Sequence, residues 1–186
     1  MIWTGSEFEV KKIGFKFEDS DAYKTVECIG SMEEEMASKT ITKKCRGVVR
    51  KKRSKGTGEG TVKLTLHMPY DIYVEAFGMD MPSLKKGVYA YGLNSVHKNF
   101  AMVADVEDED GNEKLKAYPN SAMNAFAGRK VENGAEEVAE LELEIGVMPD
   151  KYDNGMYESP VEDGDEEKVN EWMTAFDPED QQVVSA

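Results

Sequence analysis

The sequence is poor in the residues that build covalent or metal frameworks. Its 186 positions hold two cysteines and two histidines. Cys28 and Cys45 form no CxxC pair, and with only His67 and His97 to join them the spacings match no zinc pattern. Neither a structural metal nor a cofactor is expected, and the thiols are expected reduced and half-buried in strands as small apolar residues. No apolar run approaches the roughly 18 residues of a membrane span, which argues against membrane insertion. The first residues, Met1 to Glu7, lack the basic-then-apolar order of a secretory leader, so the expected place of work or assembly is a cytosol. Also missing are a P-loop, a GxGxxG turn, a nucleophile elbow and an HExxH helix, so no catalytic constellation is expected.

What is present is a chain with 40% apolar and 32% charged residues and a mean hydropathy of −0.59, the balance of one folded domain with a core. The net charge of −14 is unevenly spread. From Asp150 to Ala186 there are twelve Asp/Glu against two Lys, whereas Lys39 to Lys55 holds nine Lys/Arg and no acid. Such asymmetry points to complementarity between copies or to a charged polymer. The organisation expected is a β domain over 1–149 with a long hairpin over 38–67, then an acidic segment over 150–186 with a helix at about 165–176.

Period-two alternation predicts strands through Ile13, Phe15 and Phe17, through Tyr23 to Ile29, and from Thr61 to His67, where Val62, Leu64 and Leu66 share a face. Met32 to Met36 reads as an acidic connection or a single helical turn. A second strand starts at Ser38 and runs into Arg50-Lys51-Lys52-Arg53. Gly56, Gly58 and Gly60 then permit a reversal, making a hairpin whose arms, at about 3.3 Å per residue, project some 30 Å. Pro69 and Gly78 bracket a short helix carrying Ile72, Tyr73, Ala76 and Phe77. Further strands are expected at Val88 to Gly92, at Asn99 to Val106 and, after an Asp110-Gly111 turn, at Lys114 to Tyr118. A last one runs from Glu136 to Val147, with Glu140, Glu142 and Glu144 outward. Val169, Trp172, Met173 and Phe176 stand at i, i+3, i+4 and i+7, an amphipathic helix that Asp165 can cap.

Candidate chemistry is sparse. His67 falls on the polar side of a strand and His97 in a loop, as surface hydrogen-bonding residues. Asp105 to Asn112 lacks the ligand order of an EF-hand and reads as a hairpin turn. The basic run lacks interleaved aromatics for stacking bases, and the acidic whole would repel a polyanion from most directions.

The run Met36-Ala37-Ser38-Lys39-Thr40-Ile41-Thr42-Lys43-Lys44-Cys45-Arg46-Gly47-Val48-Val49, followed by Gly56 to Pro69, resembles the major tail (tail tube) proteins of long-tailed bacteriophages. In element order the likeness extends over roughly Phe8 to Val147. It implies a mainly β fold, a β-sandwich or partial barrel, with a flanking short helix and a C-terminal amphipathic helix. It also implies hexameric rings stacked into a tube in the virion tail, assembled in the host cytoplasm. The partners implied are other copies of the chain, the tape-measure protein and other tail proteins, and DNA passing through the lumen without specific binding. On that reading Arg50, Lys51, Lys52, Arg53 and Lys55, with Gly56, Gly58 and Gly60, form the hairpin tip and meet another ring or subunit. Glu140, Glu142 and Glu144 are the candidate acidic partner face. The alternative is a basic-hairpin nucleic-acid-binding module.

Overall fold

Alternating apolar residues set the first strand and the core behind it. The computed structural model describes residues 6–162 and 164–183. β1 (Glu9–Phe17) buries Ile13, Phe15 and Phe17 completely or nearly so and pairs with the short β2 (Lys24–Val26). β3 (Ile29–Cys45) and β4 (Val48–Leu66) form the long hairpin, and α1 (Tyr70–Ala76) follows Pro69. Then come β5 (Asn99–Glu107), β6 (Glu113–Met123), β7 (Leu141–Val147), β8 (Tyr157–Pro160) and α2 (Glu166–Ala175).

The fold is mainly β, one antiparallel sheet in the order β2-β1-β5-β6-β7-β4-β3, with β8 added to β6. The sheet coils until β3 approaches β1, so its inner face encloses one core; of the β-sandwich or partial barrel that the resemblance implies, this single coiled sheet is nearer the second. Val62, Leu64 and Leu66 of β4 stand opposite Ile145, Leu143 and Leu141 of β7 there, and α1 adds Ile72, Tyr73, Ala76 and Phe77. Phe15 and Phe17 meet Phe100 edge-on at 5.5 and 5.7 Å. Each such buried side chain contributes about 1.5–3 kcal/mol.

A second, smaller core lies on the outer face. Trp172, Met173 and Phe176 of α2 cover Val103, Leu115 and Ala117, so the helix packs on its own chain's sheet. Its first turn is capped as the sequence predicts, with the Lys168 amide donating to the Asp165 carboxylate at 3.2 Å.

Several expectations are corrected. Met32 to Met36 is neither helix nor connection but part of β3, because Glu34 turns inward while Glu33 and Glu35 turn out. Three adjacent glutamates conceal that alternation. Val88 to Gly92 is loop, held by a turn in which the Val88 amide donates to the Lys85 carbonyl. β6 runs past Tyr118 to Met123, because Pro119 sits at a register shift where no ladder donor is needed. β7 begins only at Leu141, and Val138 is exposed. Both cysteines are exposed rather than half-buried, Cys45 because it ends β3 at the hairpin's far end. His97 is half-buried; its Nδ1 donates to the Met123 carbonyl at 2.7 Å, and the ring lies edge-on to Phe77. Of the acidic turn at 162–165, Asp163 lies outside the described residues, as do residues 1–5 of the Met1 to Glu7 run.

Candidate assembly surface

The hairpin leaves the body where β7 stops supporting it. β4 pairs with β7 from Gly60 to Leu66, while β3 is the outermost strand of the sheet and, among the described residues, pairs with β4 alone. From residue 37 to residue 57 every side chain is exposed. Nine or ten residues per arm at about 3.3 Å each carry the ribbon about 30 Å from the body.

The reversal is at Arg46-Gly47, not in the glycine-rich run. Arg46 (φ 50°) and Gly47 (φ 78°) both take left-handed backbone between Cys45 and Val48, which face each other. Gly56, Gly58 and Gly60 therefore lie inside β4, near the ribbon's root. At Gly58 and Gly60 the role is close approach. A Cβ on Gly58 (φ 79°) would sit 3.0 Å from Pro149 Cβ and 3.1 Å from the Asp153 carbonyl oxygen, and one on Gly155 would collide with the Gly58 carbonyl. Likewise, one on Gly60 would come within 2.5 Å of Met36 Sδ. These absent side chains let the loop of residues 149–155 clasp the root. Gly155→Ala is expected to lose about 1–3 kcal/mol in a urea unfolding curve. Gly56→Ala, where an added Cβ meets nothing within 4 Å, is expected to change stability by less than about 0.5 kcal/mol.

The five predicted basic contact residues lie on the returning arm, not at its tip. Lys51, Lys52, Arg53 and Lys55 are in register with Lys43, Thr42, Ile41 and Lys39, while Arg50 is skipped at a register shift. Opposed residues of an antiparallel pair share a face, and successive residues alternate. One face therefore carries Lys39, Lys43, Lys51, Arg53 and Lys55 around Ile41. The other carries Thr40, Thr42, Lys52 and Ser54, with the Thr40 and Ser54 hydroxyls bonded at 2.9 Å. Lys39 stands directly opposite Lys55 and Lys43 opposite Lys51, arrangements that repel. Of the ion pairs among the described residues, none involves the nine cations from Lys39 to Lys55.

The predicted acidic residues do not form one row. Glu142 and Glu144 are exposed on β7, facing Thr65 and Lys63, but Glu140 precedes the strand, with its carboxylate over Gly30. Residues of the loop 128–139 line an open cleft together with Thr65, His67, Glu140 and Glu142. Glu33 and Glu35 on β3 complete the acidic outer face beside Glu144, with Lys63 between, 3.7 Å from Glu33. Sequence reasoning missed both; Met32 and Met36, which the structure half-buries, stand at a spacing that fits a helical turn as well as a strand.

Glu34 instead ties the ribbon's root to the body. Lys116 of β6, 1% exposed, holds Glu34 at 2.5 Å and Glu7 at 2.7 Å, and the Tyr118 hydroxyl donates to Glu34. Lys114 pairs with Glu7 and lies 3.4 Å from Glu158. Burial works to lower the Lys116 ammonium, but the Glu34 and Glu7 carboxylates outweigh it and leave its pKa raised. Burial likewise works against ionised Glu7, and Lys114 and Lys116 overcome it, holding that carboxyl below its usual range. Glu7, Glu34 and Glu158 bring oxygens within 4.8 Å of one another, but the two lysines already occupy the position of a cation.

No protein-family model matches the sequence, and no curated protein matches it. Two solved structures align with most of the chain. One belongs to the cap of the anti-feeding prophage, a tube-terminating cap, at TM-score 0.45 and 8% identity, covering 87% of this chain and 96% of that one. The other belongs to the six-fold symmetrised baseplate of the anti-feeding prophage, at TM-score 0.42 and 8% identity, covering 86% and 97%.

Proposed function

We propose that the chain is a structural subunit that polymerises through its β3–β4 ribbon, as a ring-forming component of a phage-type tail tube. The observation that carries this is the ribbon itself. Every side chain from residue 37 to residue 57 is exposed, while like charges stand opposed along them. Eight cations on the two strands and Arg46 in the turn make no ion pair among the described residues, so an acidic surface on another molecule would relieve their mutual repulsion. The free edge of β3 adds unpaired backbone groups that a neighbour can complete. In such a tube, stacked rings enclose the tape-measure protein and later conduct DNA into the host, and the work is done by assembly, without catalysis.

A symmetrical truncation tests this. Replacing residues 41–53 by Asn-Gly joins Thr40 to Ser54 in a two-residue turn and keeps the clasp at Gly58. The shortened protein is expected to fold, with an unchanged thermal midpoint, and to stay monomeric where the full chain forms rings or tubes under negative stain. Tubes of normal length from it refute the proposal. The nucleic-acid-binding alternative has the exposed cationic ribbon in its favour. It predicts DNA binding by the full chain that falls steeply with salt, without any polymer.

A further inference from the structure

The ribbon's two ends carry opposite charge on the same face. Odd-numbered residues of β3 and β4 point outward at the root, where Glu33 of β3 and Glu144 of β7 stand on either side of Lys63 and Glu35 lies opposite Thr61. Between Met36 and Ser38 the register slips, four residues of β4 spanning two of β3. An even surplus preserves the alternation, so Lys39, Lys43, Lys51, Arg53 and Lys55 continue that face. It therefore changes from acidic to basic along its length.

The two ends cannot neutralise each other. Lys51 lies about ten paired positions from Glu33, roughly 33 Å along one continuous ribbon. Screening at physiological salt reduces interaction beyond about 8 Å, and an extended two-stranded ribbon cannot fold its far end onto its own root.

We infer that the basic face of the far ribbon docks on the acidic root face of a second copy, with Lys51, Arg53 and Lys55 meeting Glu33, Glu35 and Glu144. This rests on the self-assembly reading and names the partner surface within it. Ile41, 61% exposed among the cations, supplies apolar area that such a contact removes from water. Because the two surfaces differ, the contact is heterologous and leaves one free end on each copy, which lets it propagate.

The test has two arms. Isotopically light and heavy copies are mixed, allowed to assemble and treated with a zero-length carbodiimide, which joins lysine to carboxylate. Mixed-mass peptides joining Lys51 or Lys55 to Glu33, Glu35 or Glu144 are expected. In the second arm, Lys51→Glu/Arg53→Glu/Lys55→Glu and Glu33→Lys/Glu35→Lys/Glu144→Lys are each expected to raise the concentration needed for assembly at least tenfold. The six-fold variant carrying both reversals is expected to recover, and circular dichroism melts confirm that each variant is folded.

Wild-type polymers whose mixed-mass links fall elsewhere overturn the partner surface but leave self-assembly standing. So do folded reversal variants that assemble normally. A wild-type chain that stays monomeric overturns self-assembly and this contact together. Binding of duplex DNA by that monomer, lost in the Lys51/Arg53/Lys55 variant, assigns the basic face to nucleic acid instead.

Discussion

Lys116→Met is expected to lower the unfolding free energy by about 3–5 kcal/mol, read from urea denaturation at neutral pH. The ammonium is almost wholly buried and sits between Glu7 and Glu34, with Glu158 at 3.4 Å. Methionine keeps the length and apolar stem of lysine but leaves these carboxylates to repel one another, with Lys114 alone to offset them. Glu34→Gln in the Lys116→Met background should restore part of the loss, because it removes a half-buried charge that has lost its counterion. A double-mutant cycle gives the coupling directly. Additive losses from the two substitutions would mean that Lys116 serves only as packing.

The second large effect is a dependence on pH set by Asp105. This β5 carboxyl is 1% exposed, its Oδ1 has no hydrogen-bond partner among the described residues, and the nearest ammonium, that of Lys12, is 3.9 Å away. Burial above all, and then the Glu113 carboxylate, push its pKa up to about 7 against the opposing pull of Lys11 and Lys12. In the unfolded chain an aspartate titrates near 3.9. Between those values the folded state holds a proton that the unfolded state has released. Stability from this group is therefore complete below about pH 4 and is lost as pH rises toward 7. Asp105→Asn removes that slope. It is expected to raise stability at pH 8 by on the order of 3 kcal/mol, while leaving stability at pH 4 little changed. Parallel stability curves for the two proteins across pH 4–8 would show that Asp105 titrates normally.

The elements with unbroken periodicity were legible. Thr61 to His67, the α1 face and the α2 stripe all bury the residues that the sequence pattern selects, and Asp165 caps α2 as its position implies. Legibility failed where one residue type served two faces. Glu33, Glu34 and Glu35 look alike in sequence, yet the middle one meets Lys116 inside the barrel while its neighbours stay in water. The chain reversal was misplaced for a related reason. Glycine marks both turns and close approaches, and Gly58 and Gly60 serve the second purpose, whereas Arg46-Gly47 reverses the chain with one glycine and one strained arginine. Of the candidate surface, the cations were legible from composition. Their distribution between two faces, and the acids at the far root, depend on register, which a single sequence does not specify.

The clasp at the ribbon's root has a mechanical consequence. A two-stranded ribbon anchored at one end is a cantilever, and its stiffness is set by how its base is gripped. Here β4 continues inward beside β7 through seven residue pairs, Gly60 to Leu66, and the loop carrying Gly155 presses on Gly58 just outside them. Antiparallel ladder bonds run perpendicular to the strands, so tension along the ribbon loads them together in shear instead of peeling them one after another. A polymer linked through such beams resists stretching along the ribbon axis more strongly than bending across it.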